Sequence, residues 1–382
     1  MYLAKKVRII PTPEQENLLR RFAGAARWTY NKYLYINQLM YDAYKEIGGE
    51  RYSAAKFRKE LTQLKKTEEY AWLNDISSNV IKQAVRDADN ALSRFIKGKT
   101  GVPKFKSRKH PRQSFYVNYE SLKRTDHGFQ GEKLGILRTS EPLPKVKTHY
   151  SDPRITCDGK FWYLSVGYSV KSKQEELADQ VIGIDLGIKE LAVLSTGKIY
   201  PNINKTKRVR MLEKRLKRAQ RRLSRKDKTG NNYLRQVKII RLLYKHLYDI
   251  RQNYLHQTTT EIVKTKPSVI VMEDLNVQGL MKNRHLARAI AEQKWYEFRR
   301  QISYKCELYG IQLILADRFY PSSKTCSGCG YYKRDLKLND RVYICPECGL
   351  KIDRDLNAAI NLAKLPVATG EVKPAERYIK PE

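Results

Sequence analysis

Apolar positions along the chain change their spacing three times, and each change marks a different kind of structure. The run Tyr2–Ile10 is short and β-prone and stops at Pro11, which predicts a strand. Thr12, Pro13 and Gln15 then make a helix start: an N-cap hydroxyl, a proline at the first position and the reciprocal glutamine of a capping box. Leu18, Leu19, Phe22, Ala25, Ala26, Tyr30 and Tyr33 follow at helical spacing. A further helix begins after Ser77, with Val80, Ile81, Ala84, Val85, Ala88, Leu92, Phe95 and Ile96 on one face and Gly98 as its stop. Between about 114 and 178 the pattern turns β-rich, with strands expected at 115–119, 134–137 and 155–170, the last folded at a two-residue Asp158-Gly159 turn.

At 181 the pattern changes again. Val181-Ile-Gly-Ile184 is an apolar run ending in Asp185, and 191–194 predicts a second strand that turns at 195–197 into a third. Two long helices follow. Val209, Leu212, Leu216, Ala219 and Leu223 make the seam of the first; Val237, Ile240, Leu243, Leu247, Ile250 and Tyr254 make the apolar stripe of the second. Another buried strand at 268–272 ends in Glu273, then come a helix over about 287–309 and a strand over 311–315. Strand hairpins followed by strands alternating with helices are the pattern of an α/β chain.

The expected organisation is a small antiparallel β-barrel from 1–12 and 114–178, carrying residues 13–113 as an inserted helical module and basic loop. An α/β domain over 179–320 and 351–366 carries a helical hairpin at 204–258 and an inserted cysteine module at 321–350. The polar, aperiodic residues 367–382 are expected to be a frayed tail.

Composition narrows the partners. The chain has 382 residues, of which 41% are hydrophobic, so it can bury a sizeable core and is not expected to be disordered throughout. Its formal net charge of +35 would repel itself unless a polyanion neutralised it, which points to nucleic acid. No stretch approaches the ~18 apolar residues of a membrane span, and lysines interrupt the N-terminal apolar run. The expectation is a soluble, cytoplasmic protein with no membrane partner.

Three acids stand out. Asp185 and Glu273 each end an apolar strand, where open α/β sheets bind ligands. Asp355 lies in a loop entering the final helix. Any one alone reads as an ordinary cap or turn residue. Gathered by a fold, they would raise one another's pKa unless cations neutralised them, and magnesium suits hard oxygen ligands and phosphates.

The cysteines give a stronger local signal. Cys326 and Cys329 make one C-x-x-C pair and Cys345 and Cys348 another, 15 residues on, each followed by glycine. This spacing predicts a four-thiolate, closed and therefore structural zinc site. Cys157 and Cys306 are isolated and read as buried small residues.

The basic residues cluster too. From 205 to 226 there are 12 Lys or Arg against one acid, Glu213, and Lys214, Arg215, Arg218, Arg221 and Arg222 are the expected phosphate contacts of that helix. Lys104, Lys106 and Arg108 play the same part in the Gly- and Pro-punctuated loop at 98–113.

Ile184-Asp185-Leu186-Gly187-Ile188, Met272-Glu273-Asp274-Leu275-Asn276 and Asp355-Leu-Asn-Ala-Ala-Ile-Asn361 occur in this order, with Gly101-Val-Pro-Lys-Phe-Lys-Ser107 upstream and Phe319-Tyr-Pro-Ser-Ser-Lys-Thr-Cys326 between the last two. Together they resemble the TnpB family, transposon-encoded relatives of type V CRISPR effectors. The resemblance runs from the N-terminal strand to about residue 362. It implies an RNase H-like (RuvC) nuclease domain with an inserted zinc ribbon and a wedge-like N-terminal barrel. It also implies an RNA-guided DNA endonuclease whose catalytic carboxylates are Asp185, Glu273 and Asp355, holding two Mg2+. The implied partners are a guide RNA and double-stranded target DNA, met in the nucleoid of a prokaryotic cell. The helix from Ser77 becomes the candidate reader of a target-adjacent motif, through Asn79, Lys82, Gln83 and Arg86. Asp353, Asp274 and Asp317 are expected to support the site or the fold. Two alternatives stay open: a guided DNA-binding repressor that does not cut, and a guide-free, structure-specific nuclease.

Overall fold

The computed structural model describes residues 1–47, 52–108, 112–173, 175–337, 339–365 and 373–374. The chain divides into two units, Tyr2–Val170 and, with Met1, Lys171–Glu382. Lys109 of the basic loop and most of the expected tail lie outside the described residues.

In the first unit β1 (Tyr2–Ile10) buries Val7 and Ile9 and leaves their neighbours outside. The capping box forms as spelled: Gln15 N donates to Thr12 Oγ1 at 3.3 Å, and Thr12 N donates to Gln15 Oε1 at 3.1 Å. It opens α1 (Pro13–Ile47), followed by α2 (Ala54–Leu64), a 3-10 turn (Glu68–Asp75) and α3 (Ser78–Ile96). The buried face of α3 is Val80, Ile81, Ala84, Val85 and Ala88, with Leu92 partly buried, but the expected stripe is corrected at its end: Phe95 and Ile96 are exposed in the last turn.

The strands β2 (Gln113–Tyr116), β3 (Lys123–Thr125), β4 (Gly128–Gly131), β5 (Gly135–Thr139), β6 (Ser151–Cys157) and β7 (Trp162–Ser169) pair with β1 in the order β2-β6-β7-β1-β5-β4-β3, antiparallel throughout. Phe22 of α1 packs on Phe115 at 5.5 Å between ring centres. Asp87 of α3 takes Arg154 of β6 in a bidentate grip of 2.8 and 3.1 Å. Helices and sheet thus share one core.

The Asp158-Gly159 turn is corrected. The ladder closes at Cys157 and Trp162, leaving four residues in the loop. Asp158 Oδ1 accepts from the backbone N–H of Lys160 and Phe161, and Asp158 N donates to Phe161 O, so the aspartate builds a wider turn with Gly159 at φ 96.

The second unit is built on β8 (Ala178–Leu186), β9 (Glu190–Leu194), β10 (Ile199–Pro201), β11 (Pro267–Glu273) and β12 (Gln312–Ala316). Its strands run β10-β9-β8-β11-β12, with β8, β11 and β12 parallel. The two-residue β15 (Lys373–Pro374), within the expected tail, pairs antiparallel with the β12 edge. Between β10 and β11 stand α4 (Lys207–Ser224) and α5 (Asn231–Lys264), whose seam of Val209, Leu212, Leu216, Ala219, Ile240 and Leu247 forms its own small core.

After β11 come α6 (Val277–Leu280), α7 (Ala287–Gln293) and α8 (Trp295–Tyr309). The single helix expected over 287–309 is therefore two, broken where Lys294 takes a left-handed φ of 54. Lys305 of α8 is buried, and its ammonium donates to His256 O, Thr259 Oγ1 and Thr260 Oγ1 at 3.0, 2.6 and 2.8 Å, pinning α8 to α5. After β12 come the hairpin β13 (Val342–Ile344) and β14 (Lys351–Asp353) and the helix α9 (Arg354–Ala363). Among the described residues no helix is long and apolar enough to cross a membrane.

Candidate active site and zinc centre

Alternation along two strands sets the site. Ile184 of β8 pairs with Met272 of β11 in parallel register, so Asp185 and Glu273 come next, level with each other at the C-terminal ends of neighbouring strands. Side chains two apart share a face. Ile182, Ile184, Ile270 and Met272 pack on one side with Ile262, Phe298 and Ile302 from the helices α5 and α8. Val181, Val269 and Val271 pack on the other with Leu362 of α9. Asp185 and Glu273 continue this second face by count.

The helix α9 brings the third acid to that face. Its N-cap is Asp353, whose Oδ1 accepts from Asp355 N at 2.9 Å and Leu356 N at 3.1 Å, which places Asp355 in the first turn. Gly183, two residues before Asp185, is where α9 touches the sheet. A Cβ there would lie 2.0 Å from Ala359 O and 2.6 Å from Ala363 N, so only glycine permits the contact.

The acids sense one another. Burial, then the charges of Glu273 and Asp355, raise the Asp185 carboxyl well above its ordinary range, with the Arg354 guanidinium opposing. Burial also raises Glu273, against a 2.5 Å hydrogen bond donated by Ser322 Oγ to its Oε1. Arg354 lies 3.3 Å from Asp355 Oδ1. A buried carboxyl at Asp185, raised by the charges of Glu273 and Asp355, makes the three oxygen donors a fit for a hard divalent cation, which would offset that cost. Of the supporting acids, Asp353 caps α9 and adds its charge at Asp185, whereas Asp274 is held by Arg299 at 2.5 Å and Arg318 at 3.3 Å, and Asp317 accepts from Phe319 N.

The cysteine module forms a second centre. Cys326, Cys329, Cys345 and Cys348 have sulfurs within 4.8 Å of one another, the one such group of candidate ligands among the described residues. The Cys326–Cys348 and Cys329–Cys345 sulfurs are 3.6 and 3.5 Å apart, close to the edge of about 3.8 Å that tetrahedral zinc–sulfur bonds require. The four thiols titrate as one group. Burial raises the Cys345 thiol, but the backbone N–H groups of Cys348 and Glu347 and the facing thiols bring it down to about 7. Against the backbone N–H of Tyr331, burial and the facing thiols push Cys329 up to about 12.

Sequence spacing did not single out the residues that tie the two centres together. Asn357 and Asn361 of α9 are buried, and their amides donate to Thr325 O at 2.7 and 2.6 Å. Asn361 also donates to Ser322 O at 2.7 Å, and Asn357 Oδ1 accepts from Ser327 N at 2.9 Å. The available signal was two asparagines four apart on an otherwise apolar helix face, where an unpartnered amide would be costly.

The predicted nucleic-acid residues divide. Lys214, Arg215, Arg218, Arg221 and Arg222 are exposed on α4, and Glu213, the one acid of that stretch, is engaged by Arg251 and Arg288 at 3.0 and 3.2 Å. Lys104 and Arg108 are exposed. Lys106 is held: its backbone exchanges hydrogen bonds with the Asn31 side chain, and its ammonium sits 3.8 Å from the centre of the Tyr30 ring. On α3, Lys82 and Arg86 are exposed, but the Asn79 amide donates to Glu132 at 3.0 Å and the Gln83 amide to Asp87 at 2.9 Å.

The fold is similar over the whole chain to that of a Cas12f1 solved with single-guide RNA and target DNA, which superposes with a TM-score of 0.59 at 14% identity, covering 98% of this chain and 99% of that one. Family models match in three places: a helix-turn-helix domain at 1–46, "Probable transposase" at 164–284 and a Cas12f1-like TNB domain at 295–362. A relative from Streptomyces pristinaespiralis, named as a candidate RNA-guided DNA endonuclease, is 34% identical over 94% of this chain and 88% of its own length. InsQ of Escherichia coli K12, named likewise, is 30% identical over 99% and 96%. The chain belongs to the TnpB family.

Proposed function

We propose that this protein is an RNA-guided DNA endonuclease of transposon origin. It binds a guide RNA, engages a short motif beside its target and hydrolyses both strands of the DNA at Asp185, Glu273 and Asp355. The observation that carries the reading is strand parity: two acids at level strand ends, on the face where α9 supplies the third. Family membership and the names of the relatives support the guided part. The finer architecture goes with it: an RNase H-like (RuvC) domain over 179–320 and 351–366, a zinc ribbon at 321–350, and a wedge-like barrel bearing the helical module. The place of work is the cytoplasm, on the nucleoid.

Asp185, Glu273 and Asp355 would hold two magnesium ions, whose chemistry when bound is to activate water and stabilise the leaving oxygen of the scissile phosphate. The chain's own part is electrostatic and geometric. Asp185 feels both other acids and so belongs at the centre of the donor set. Arg354 offsets part of their repulsion from beside Asp355. The exposed cations of α4 hold phosphates without reading sequence. Four thiolates leave zinc no open position, so its role is structural.

The test is cleavage of a matched duplex by ribonucleoprotein purified with its co-expressed RNA. Magnesium-dependent double-strand cutting that Asp185→Ala abolishes, with target binding kept, is the expected result. Guided binding with no cutting in any divalent metal would make it a repressor; cutting of branched DNA by RNA-stripped protein would make it guide-free.

A further inference from the structure

Ser322 is a buried hydroxyl, 3% exposed, that donates to Glu273 Oε1 at 2.5 Å. It comes from neither strand nor helix but from the segment that leads into the first cysteine pair. The segment is fastened at several points. Tyr320 Oη donates to Asn361 O at 3.2 Å, Asn361 Nδ2 donates to the carbonyls of Ser322 and Thr325, and Asn357 bonds both Thr325 O and Ser327 N. Cys326, four residues on, is 2% exposed and part of the thiolate cluster. Both asparagines belong to the helix that carries Asp355. The thiolate module, the helix α9 and Glu273 therefore form one hydrogen-bonded chain.

We propose that Ser322 is a positioning residue: its hydroxyl holds one oxygen of Glu273 so that the other is presented to a divalent cation, and the cysteine module fixes where that hydroxyl sits. This rests on the endonuclease reading for what the cation does, but not for whether it binds. A carboxylate that accepts a strong hydrogen bond on one oxygen loses rotational freedom and keeps its other oxygen as a single aimed ligand. Partners of this kind change metal affinity or activity by about 10–100-fold when removed.

The experiment compares ribonucleoproteins of the native protein, Ser322→Ala and Ser322→Cys, the last keeping similar size with a weaker donor. Calorimetry measures magnesium binding, and cleavage of a matched duplex measures the magnesium needed for half-maximal rate. Zinc content, melting temperature and target binding are controls. The expected order of magnesium dissociation constants is Ser, Cys, Ala, with the alanine variant about tenfold weaker. The shift should vanish in a Glu273→Gln background, because the hydroxyl then has no carboxylate to aim. Equal magnesium affinity in all three proteins, or an equal loss in both backgrounds, would overturn the proposal. Native protein that binds magnesium yet never cuts would sink the endonuclease reading and leave this one standing.

Discussion

The four cysteines come from two knuckles within 23 residues of chain, whereas the three carboxylates come from two strands and a helix spread over 171 residues. The sulfurs already lie within 4.8 Å of one another, whereas among the acids burial and the charges of the other two raise Asp185. A centre made from one short segment inherits its geometry from local turns. A centre made from distant segments is only as good as the sheet register and the seating of one helix. That contrast can be tested by breaking each kind of support in turn.

The largest effect is expected at the dispersed centre. Asp185→Asn should lower cleavage by about 10^3-fold or more, about 4 kcal/mol of transition-state stabilisation, while zinc content and guided binding stay unchanged. The metal-free protein should melt no lower than the native one, since a buried, repelled carboxylate has been removed. A clear drop in melting temperature would show that Asp185 serves the fold.

Next comes the seating of the helix. Gly183→Val must push α9 off β8, because a Cβ would meet Ala359 O at 2.0 Å. The overpacking should cost about 3 kcal/mol, a fall of about 6–12 °C in melting temperature, and cleavage should go with it. Normal cleavage at normal stability would mean that α9 does not depend on this contact.

The compact centre should fail differently. Cys326→Ser should take bound zinc from one equivalent toward none and lower stability. Through Ser322 it should also slow cleavage by about 10–100-fold. Unchanged zinc stoichiometry would refute the four-thiolate site. The smallest effect belongs to the surface: Arg218→Ala should leave the chemistry intact and reduce the salt dependence of nucleic-acid binding by about one counterion, measured as binding against salt concentration.

What could be read from the letters alone follows the same contrast. The cysteine quartet, the seam of α4 and the three acids announce themselves by spacing or by order. Ser322, Asn357 and Asn361 stand inside the same motifs, but their roles do not show there, because those roles lie in contacts between segments more than thirty residues apart. The break at Lys294 carries no glycine or proline to mark it. The strands β3 and β4, three and four residues long, are too short to show a period. Asp158 misled for a physical reason: its carboxylate can build a turn wider than the Asp-Gly pair suggests.

Where α9 rests on β8 at Gly183, main chain meets main chain with nothing interposed. Peptide atoms have no rotamers to relax into, so the gap between strand and helix cannot be eased by side-chain rearrangement. Helix and strand there behave as a single casting, and only the last bonds of the acids themselves are left to accommodate whatever binds between them.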